Sequence, residues 1–258
     1  MKHKMVDIHT HILPGMDDGA DSVDTSIAML REQARQGVAA VVLTPHFYRE
    51  RESMEHFLAR RERALARLQA GLEVLPQQER ETLPQLILGA EVAWRPNMKH
   101  MEDLERLCIG QTKNLLLELP NARWTDEVVN SIYNILNQGI TPVLAHLERY
   151  FQPGRRTKVE EIASIGVPFQ ISAGALSHPL FGRRLVRLMG REQTAVLASD
   201  CHGVASRVPN MASGLEQLQN RLDDETVERI LRCGQRIITP GIKQKTPLSG
   251  WTGAFCCA

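Results

Sequence analysis

The sequence predicts a single-domain α/β protein whose parallel sheet closes as a barrel. Two patterns carry this expectation. Short apolar runs alternate with amphipathic segments about seven times along the chain, the alternation of strands and crossover helices that builds a parallel sheet. The apolar runs also end repeatedly in a histidine or a carboxylate, and in a (β/α) barrel the C-terminal strand ends converge on the face where active sites are built. The barrel domain is expected over residues 1–240 and a C-terminal tail over 241–258, with Trp251 and Phe255 of the tail docking onto the barrel.

The first element is Val6 to Ile8, a short buried strand leading into Asp7-Ile8-His9-Thr10-His11. Imidazoles at i and i+2 on an extended backbone point to one face. Pro14-Gly15 is a turn signal that folds the chain back, bringing Asp18 toward the same place. A helix follows, with Ser22 as N-cap, Val23, Ile27, Leu30 and Ala34 on one face, and Gly37 as its stop. Residues 39–43 are a buried strand that Pro45 ends, aiming His46 from its edge.

Residues 53–73 read as a long helix with Leu58, Leu65, Leu68 and Leu72 inward and Arg60, Arg61, Arg63 and Arg67 as a solvated face. Pro76 to Pro84 reads as a linker. Residues 86–88 form a strand running into Gly89-Ala90-Glu91, and a short helix covers 99–108. Residues 115–117 are a strand ending in Glu118. Thr125 caps a helix through 138, with Asp126 and Glu127 in the first turn, where the dipole favours them. The strand 141–145 delivers His146, and Thr157 with Glu160 reads as a capping box. A strand over 167–172, a helix over 178–190 and a strand over 194–198 lead to Ser199-Asp200-Cys201-His202. Helices over 210–221 and 225–233 close the chain.

Composition narrows the function classes. The 258 residues are 43% hydrophobic and 24% charged, an ordinary globular balance, and the formal net charge of +1 gives no argument for nucleic-acid binding. No apolar run approaches a membrane span and no leader pattern opens the chain, so no membrane insertion and a cytoplasmic location are expected. The five cysteines, an odd count without a Cys-x-x-Cys pair, suggest neither a disulfide framework nor a zinc knuckle.

The polar residues at the strand ends are His9, His11, Asp18, His46, Glu91, Glu118, His146, Asp200 and His202. Any one of them alone reads as a solvated loop residue. Repeated at successive strands of one barrel face, they make a metal cluster. Nine ligands exceed the needs of one ion, so two or three metals sharing carboxylates are expected, and an N/O set without thiolate suits Mn, Fe or Zn. Such a centre activates water for in-line attack on phosphorus. Arg149 follows His146 and Arg207 follows His202 at the same mouth, where guanidinium groups grip phosphate oxygens bidentately. Cys201, between Asp200 and His202, is expected to face away from the site and to serve packing.

These residues resemble a known family. Asp7-Ile8-His9-Thr10-His11, Thr44-Pro45-His46, Gly89-Ala90-Glu91-Val92, Glu118 and Ser199-Asp200-Cys201-His202 are similar to the PHP (polymerase and histidinol phosphatase) superfamily. Asp17-Asp18-Gly19, His146-Leu147-Glu148-Arg149-Tyr150 and Arg207-Val208-Pro209-Asn210-Met211 resemble, more narrowly, the manganese-dependent protein-tyrosine phosphatases of bacterial capsule and exopolysaccharide operons. The resemblance runs from about Met5 to Ile238.

It implies a distorted (β/α)7 barrel with two or three ions, Mn2+ first and Fe or Zn as options. By it, His9, His11, Glu91 and Asp200 hold one metal. Glu91 bridges to a second held with His46 and Glu118, and His146, Asp18 and His202 complete the second and third sites. Arg149 and Arg207 bind the substrate phosphate. The implied substrate is a tyrosine-phosphorylated protein, a polysaccharide-export tyrosine kinase. Gly203 stands where relatives often carry Asn, which alters one contact behind the ligands. Two alternatives stay open: a phosphatase of small phosphates such as histidinol phosphate, and a metal-stabilised regulatory module without catalysis.

Overall fold

The computed structural model describes residues 4–96, 98, 101, 103–121, 126–150 and 165–240. Every strand pairing among them is parallel. A three-stranded sheet has the order β1 (Met5–Thr10), β2 (Val38–Leu43), β4 (Gln85–Leu88). A six-stranded sheet has the order β3 (His46–Phe47), β5 (Glu91–Ala93), β6 (Asn114–Glu118), β7 (Thr141–Leu144), β8 (Phe169–Ser172), β9 (Ala195–Ala198).

The two sheets are continuous along the chain. Only Thr44-Pro45 separates β2 from β3, and only Gly89-Ala90 separates β4 from β5. Pro45 has no N–H for a ladder, so the strand must break there. The breaks are bridged by Thr44 N–H on the Thr10 carbonyl, Gly89 N–H on Leu43 and Glu91 N–H on Pro45, at 2.9, 2.9 and 3.1 Å. The segment past β9 meets the end of β1 through a parallel bridge between Thr10 and Cys201. The strands predicted over 39–43, 86–88 and 115–117 therefore lie in place. The short strands β3 and β5, which carry His46 and Glu91, go beyond the sequence expectation, because two or three residues offer no periodicity to read.

The described helices are α1 (Val23–Arg35), α2 (Met54–Glu73), α3 (Gln77–Arg80), α4 (Asp126–Asn137), α5 (Gly182–Arg191), α6 (Met211–Gln219) and α7 (Asp224–Ile238), and all but α3 were expected. Ser22, Ser53 and Asp223 cap α1, α2 and α7 by accepting the N–H of Thr25, His56 and Thr226. Four expectations need correction. The stretch Pro76 to Pro84 holds the one-turn helix α3 rather than an irregular linker. The helix expected over 99–108 is a 3-10 turn, Leu104–Leu107. The helix expected from 178 starts at Gly182, because Ala173–Ser177 form a separate 3-10 turn. The last helix runs on through Ile238.

A fifth correction concerns α2. Arg63 and Arg67 are exposed as expected, but Arg60, Arg61 and Arg67 also bind backbone. Arg61 is buried and donates to the Gly89 carbonyl at 2.9 Å. Arg60 and Arg67 each donate to a loop carbonyl, those of Met16 and Pro14, both at 2.7 Å. Long guanidinium stems pack along apolar surface while the heads reach carbonyls left unpaired in loops.

Two apolar clusters hold these layers together. The larger lies between strands and helices, around Leu30, Phe57, Leu68, Leu115, Ile132, Phe169 and Leu185. The smaller collects one side of the strands, Val6, Ile8, Val42, Leu116, Val143 and Val196, with Cys233 and Ile237 of α7. Among the described residues no helix is long and apolar enough to cross a membrane. Thr125, the capping box at Thr157 and Glu160, and the tail over 241–258 lie outside the described residues.

Candidate metal centre

His9 is the penultimate residue of β1 and His11 lies just beyond it; both are fully buried, with their Nε2 atoms 3.2 Å apart. The backbone there is paired with the segment after β9: Asp200 N–H donates to the His9 carbonyl at 3.0 Å, and His11 N–H to that of Cys201 at 2.9 Å. This pairing sets Asp200 Oδ1 at 3.4 and 3.5 Å from the two Nε2 atoms. Glu91, at the start of β5, brings Oε2 to 3.1 Å from His9 Nε2, 3.3 Å from His11 Nε2 and 2.9 Å from His46 Nδ1. Its Oε1 lies 2.7 Å from His146 Nε2, which is 3.6 Å from Glu118 Oε1. Asp18 Oδ1 stands 3.5 Å from His46 Nε2 and 3.4 Å from His202 Nε2. All nine strand-end residues singled out in the sequence thus meet in one place.

Three groups of ligand atoms emerge from these contacts: His9, His11 and Glu91; His46, Glu91 and Glu118; and His11, Asp18, His46 and His202. Glu91 belongs to two of them. Asp18 is 65% exposed on its side chain while Glu91 is 1% exposed, so the centre is open on the Asp18 side and closed beneath. His146, Asp200 and Arg207 take positive φ values of 31, 53 and 47°. Left-handed backbone in three non-glycine residues of one site is strain held by the surrounding structure.

The donor set fits cations. Glu91 Oε2, Asp200 Oδ1, His46 Nδ1 and His202 Nε2 are buried without a hydrogen-bond partner among the described residues, although neighbouring N and O atoms lie within 2.9–3.7 Å. Atoms packed this closely without aligned hydrogen bonds are suited to ligate a cation. Burial alone would push the Glu91 carboxyl up, yet His9, His11, His146 and His46 hold it well below the usual range. Asp200, likewise buried, is lowered by His9 and His11. Burial, then His11, pushes His202 down to about 4, which keeps it in the neutral, ligating form.

A polar layer behind the ligands escaped the sequence reading of the site. Asp17 accepts from His11 Nδ1 at 2.8 Å and from the backbone N–H of His46 at 2.9 Å and Gly19 at 3.0 Å. Burial opposes its charge, but His11 holds its pKa at about 2. A Cβ on Gly19 would lie 2.1 Å from the His11 carbonyl oxygen, so only glycine lets this turn close on His11. Gln170 of β8 accepts the His146 backbone N–H through Oε1, which makes His9 Nδ1, 3.2 Å from that oxygen, the donor. His11 and His9, each donating through Nδ1, therefore turn an Nε2 lone pair toward the centre. Asp7 is fully buried and accepts from Ser199 N–H at 2.9 Å and from the Gln33 amide. The signal for Gln170 and Asp7 was a polar residue inside an apolar strand.

Arg149 donates to Glu118 Oε1 at 3.2 Å and Asp200 Oδ2 at 3.0 Å, and Arg207 donates to the same Asp200 Oδ2 at 2.8 Å. Both guanidinium groups are thus aimed at the centre from its open side, 39% and 43% exposed. Cys201 is buried on the far side, with Sγ 3.6 Å from the Gln33 amide, and burial raises its pKa. It packs as expected, and no described cysteine lies among the ligands.

Parallel strands that bring histidines and carboxylates together in groups able to hold metal, with arginines at the mouth, fit the class of metal-dependent hydrolases. The chain belongs to the capsular polysaccharide synthesis CpsB/CapC family, whose model matches residues 5–238. It is 31% identical over 225 residues to the tyrosine-protein phosphatase CpsB of Streptococcus pneumoniae, covering 80% of this chain and 86% of that protein. It is 29% identical over 237 residues to the tyrosine-protein phosphatase YwqE of Bacillus subtilis (strain 168), covering 86% of each. In fold it is similar to a structure from the crystallography of YwqE and CpsB, described as unique metal-dependent tyrosine phosphatases, with a TM-score of 0.72, 23% identity and coverage of 91% of this chain and 94% of that one.

Proposed function

We propose that this protein is a metal-dependent phosphomonoesterase acting on phosphotyrosine in proteins, in the control of capsular or exopolysaccharide synthesis. The observation that carries the reading is the convergence of nine histidine and carboxylate side chains and two arginines at one end of the strands, in a chain of the CpsB/CapC family. The parallel strands, continuous across Pro45 and Gly89 and bridged from Thr10 to Cys201, support a distorted (β/α)7 barrel over residues 1–240. The residues 241–258 are assigned to a tail.

His9, His11, Glu91 and Asp200 are assigned to one ion, and Glu91, Glu118 and His146 to a second. Asp18, His46 and His202 are assigned to a third; this moves His46 from the second ion, where the resemblance put it, because its Nε2 is turned to Asp18, while its Nδ1 faces Glu91. The N/O donor set supports Mn2+, with Fe or Zn as alternatives. When bound, such a centre supplies Lewis acidity and an activated water for attack at phosphorus.

The chain's own residues do the rest. Asp17 and Gln170 fix the orientation and tautomer of His11 and His9. Arg149 and Arg207 leave Asp200 Oδ2 for the equatorial phosphate oxygens and neutralise the charge that grows there in the transition state. Burial, then Glu118 and Glu91, pushes the Tyr48 hydroxyl up to about 12, so it borders the site as a neutral phenol. The substrate is assigned to a tyrosine-phosphorylated protein of the polysaccharide-export machinery, a kinase of that system, met in the cytoplasm. The test compares kcat/KM of the manganese-loaded protein on a phosphotyrosine peptide and on histidinol phosphate. Preference for the peptide is expected, and preference for histidinol phosphate would overturn the substrate.

A further inference from the structure

Beside the metal centre lies a slot of about 190 Å3 walled by Tyr48, Trp94, Leu119 and Tyr150, with Glu118 and Arg149 at its edge. Trp94, Leu119 and Tyr150 are buried and Tyr48 is half-buried. The walls are fixed to the centre itself. Trp94 follows β5 and its backbone N–H donates to the Glu118 carbonyl at 2.7 Å, so the wall and a metal-ligand residue share one hydrogen-bonded backbone. Tyr150 sits next to Arg149, and its hydroxyl donates to the Leu119 carbonyl at 2.5 Å.

Tyr48 stands with its ring 5.3 Å from that of His46, under the Arg51 guanidinium at 4.3 Å. It also borders the open side of the centre with Asp18 and His46. Finally, Trp94 Nε1 is buried, and no hydrogen-bond partner for it exists among the described residues. A buried donor of this kind awaits an acceptor.

We propose that this slot is the subsite for the aryl ring of the substrate, with the phosphate at Arg149. The inference rests on the phosphatase reading and names the group that distinguishes an aryl ester from an alkyl one. Volume supports it: an engineered apolar cavity of about 150 Å3 binds benzene, so about 190 Å3 takes a phenyl ring with its oxygen. Chemistry supports it as well. Aromatic rings gain from tilted and offset contacts with other rings beyond the burial of their area. A phosphoserine side chain would leave these rings uncovered.

The experiment measures calorimetric affinity of the manganese-loaded protein for phenylphosphonate and methylphosphonate, two non-hydrolysable probes that differ by the ring. The parent is expected to bind phenylphosphonate about tenfold to a hundredfold more tightly. In Tyr48→Leu and Trp94→Leu that advantage falls by about fivefold or more, while Trp94→Phe keeps most of it. Tyr48 is half-buried, so its variant stays decisive if Trp94→Leu fails to fold. An advantage absent in the parent, or unaltered in Tyr48→Leu, overturns the slot. Turnover of a phosphotyrosine peptide, measured alongside, separates the two claims. A parent that turns it over without a phenyl advantage keeps the function and loses the slot. A parent with the advantage but no turnover keeps the slot and loses the function.

Discussion

Asp17 shows how a residue that need not touch the substrate governs the site. Its carboxylate holds the His11 ring and the His46 backbone together, so Asp17→Asn leaves the ligands present but loosely aimed. Loss of a carboxylate behind a ligating histidine costs about 10–100-fold in metal affinity or activity, and metal titration of the variant is the check. Cys201 makes the opposite prediction. Its sulfur is buried against Gln33 behind the site, so Cys201→Ala is expected to keep kcat/KM within a few-fold; loss of all activity would point to a thiol nucleophile. At this scale the sequence was most legible for which histidines and carboxylates converge. Histidine and carboxylate at strand ends announce themselves by type and position. Asp17, Gln170 and Asp7 did not, because a single hydrogen-bonding residue carries no periodicity and its partner lies far along the chain.

Among the elements, α2 is where pattern and structure part. Its apolar face was readable from leucine spacing, and its arginines read as solvated because charge usually faces water. In the fold, α2 packs against loops whose carbonyls need donors, and Arg60, Arg61 and Arg67 supply them. Nothing in a helical pattern reports the needs of a distant loop. Arg61→Ala, which removes the donor to the buried Gly89 carbonyl, is expected to destabilise by about 1.5–3 kcal/mol. Arg63→Ala, on the exposed side, should stay within about 0.5 kcal/mol. Urea denaturation of the two variants in parallel measures both. The strands show the same limit: β2 and β4 were legible from apolar runs, whereas β3 and β5 are two- and three-residue continuations beyond Pro45 and Gly89. Those short continuations nonetheless deliver His46 and Glu91.

Taken whole, the molecule gathers five imidazoles and four carboxylates from both ends of the chain, His9 to His202. Without cations that gathering leaves buried donors and acceptors unpaired, so metal binding is expected to stabilise the fold. Chelation is expected to lower the thermal midpoint, and refilling with Mn2+ to restore it, in a scanning calorimetry series over metal concentration. The measurement that bears most directly on the function is the initial rate of metal-stripped protein on a phosphotyrosine peptide, before and after refilling with Mn, Zn, Fe or Mg, with bound metal counted per chain. The rate should vanish on stripping and return with two or three bound ions, Mn2+ restoring most. Undiminished activity in protein stripped of metal would contradict a metal-dependent phosphatase.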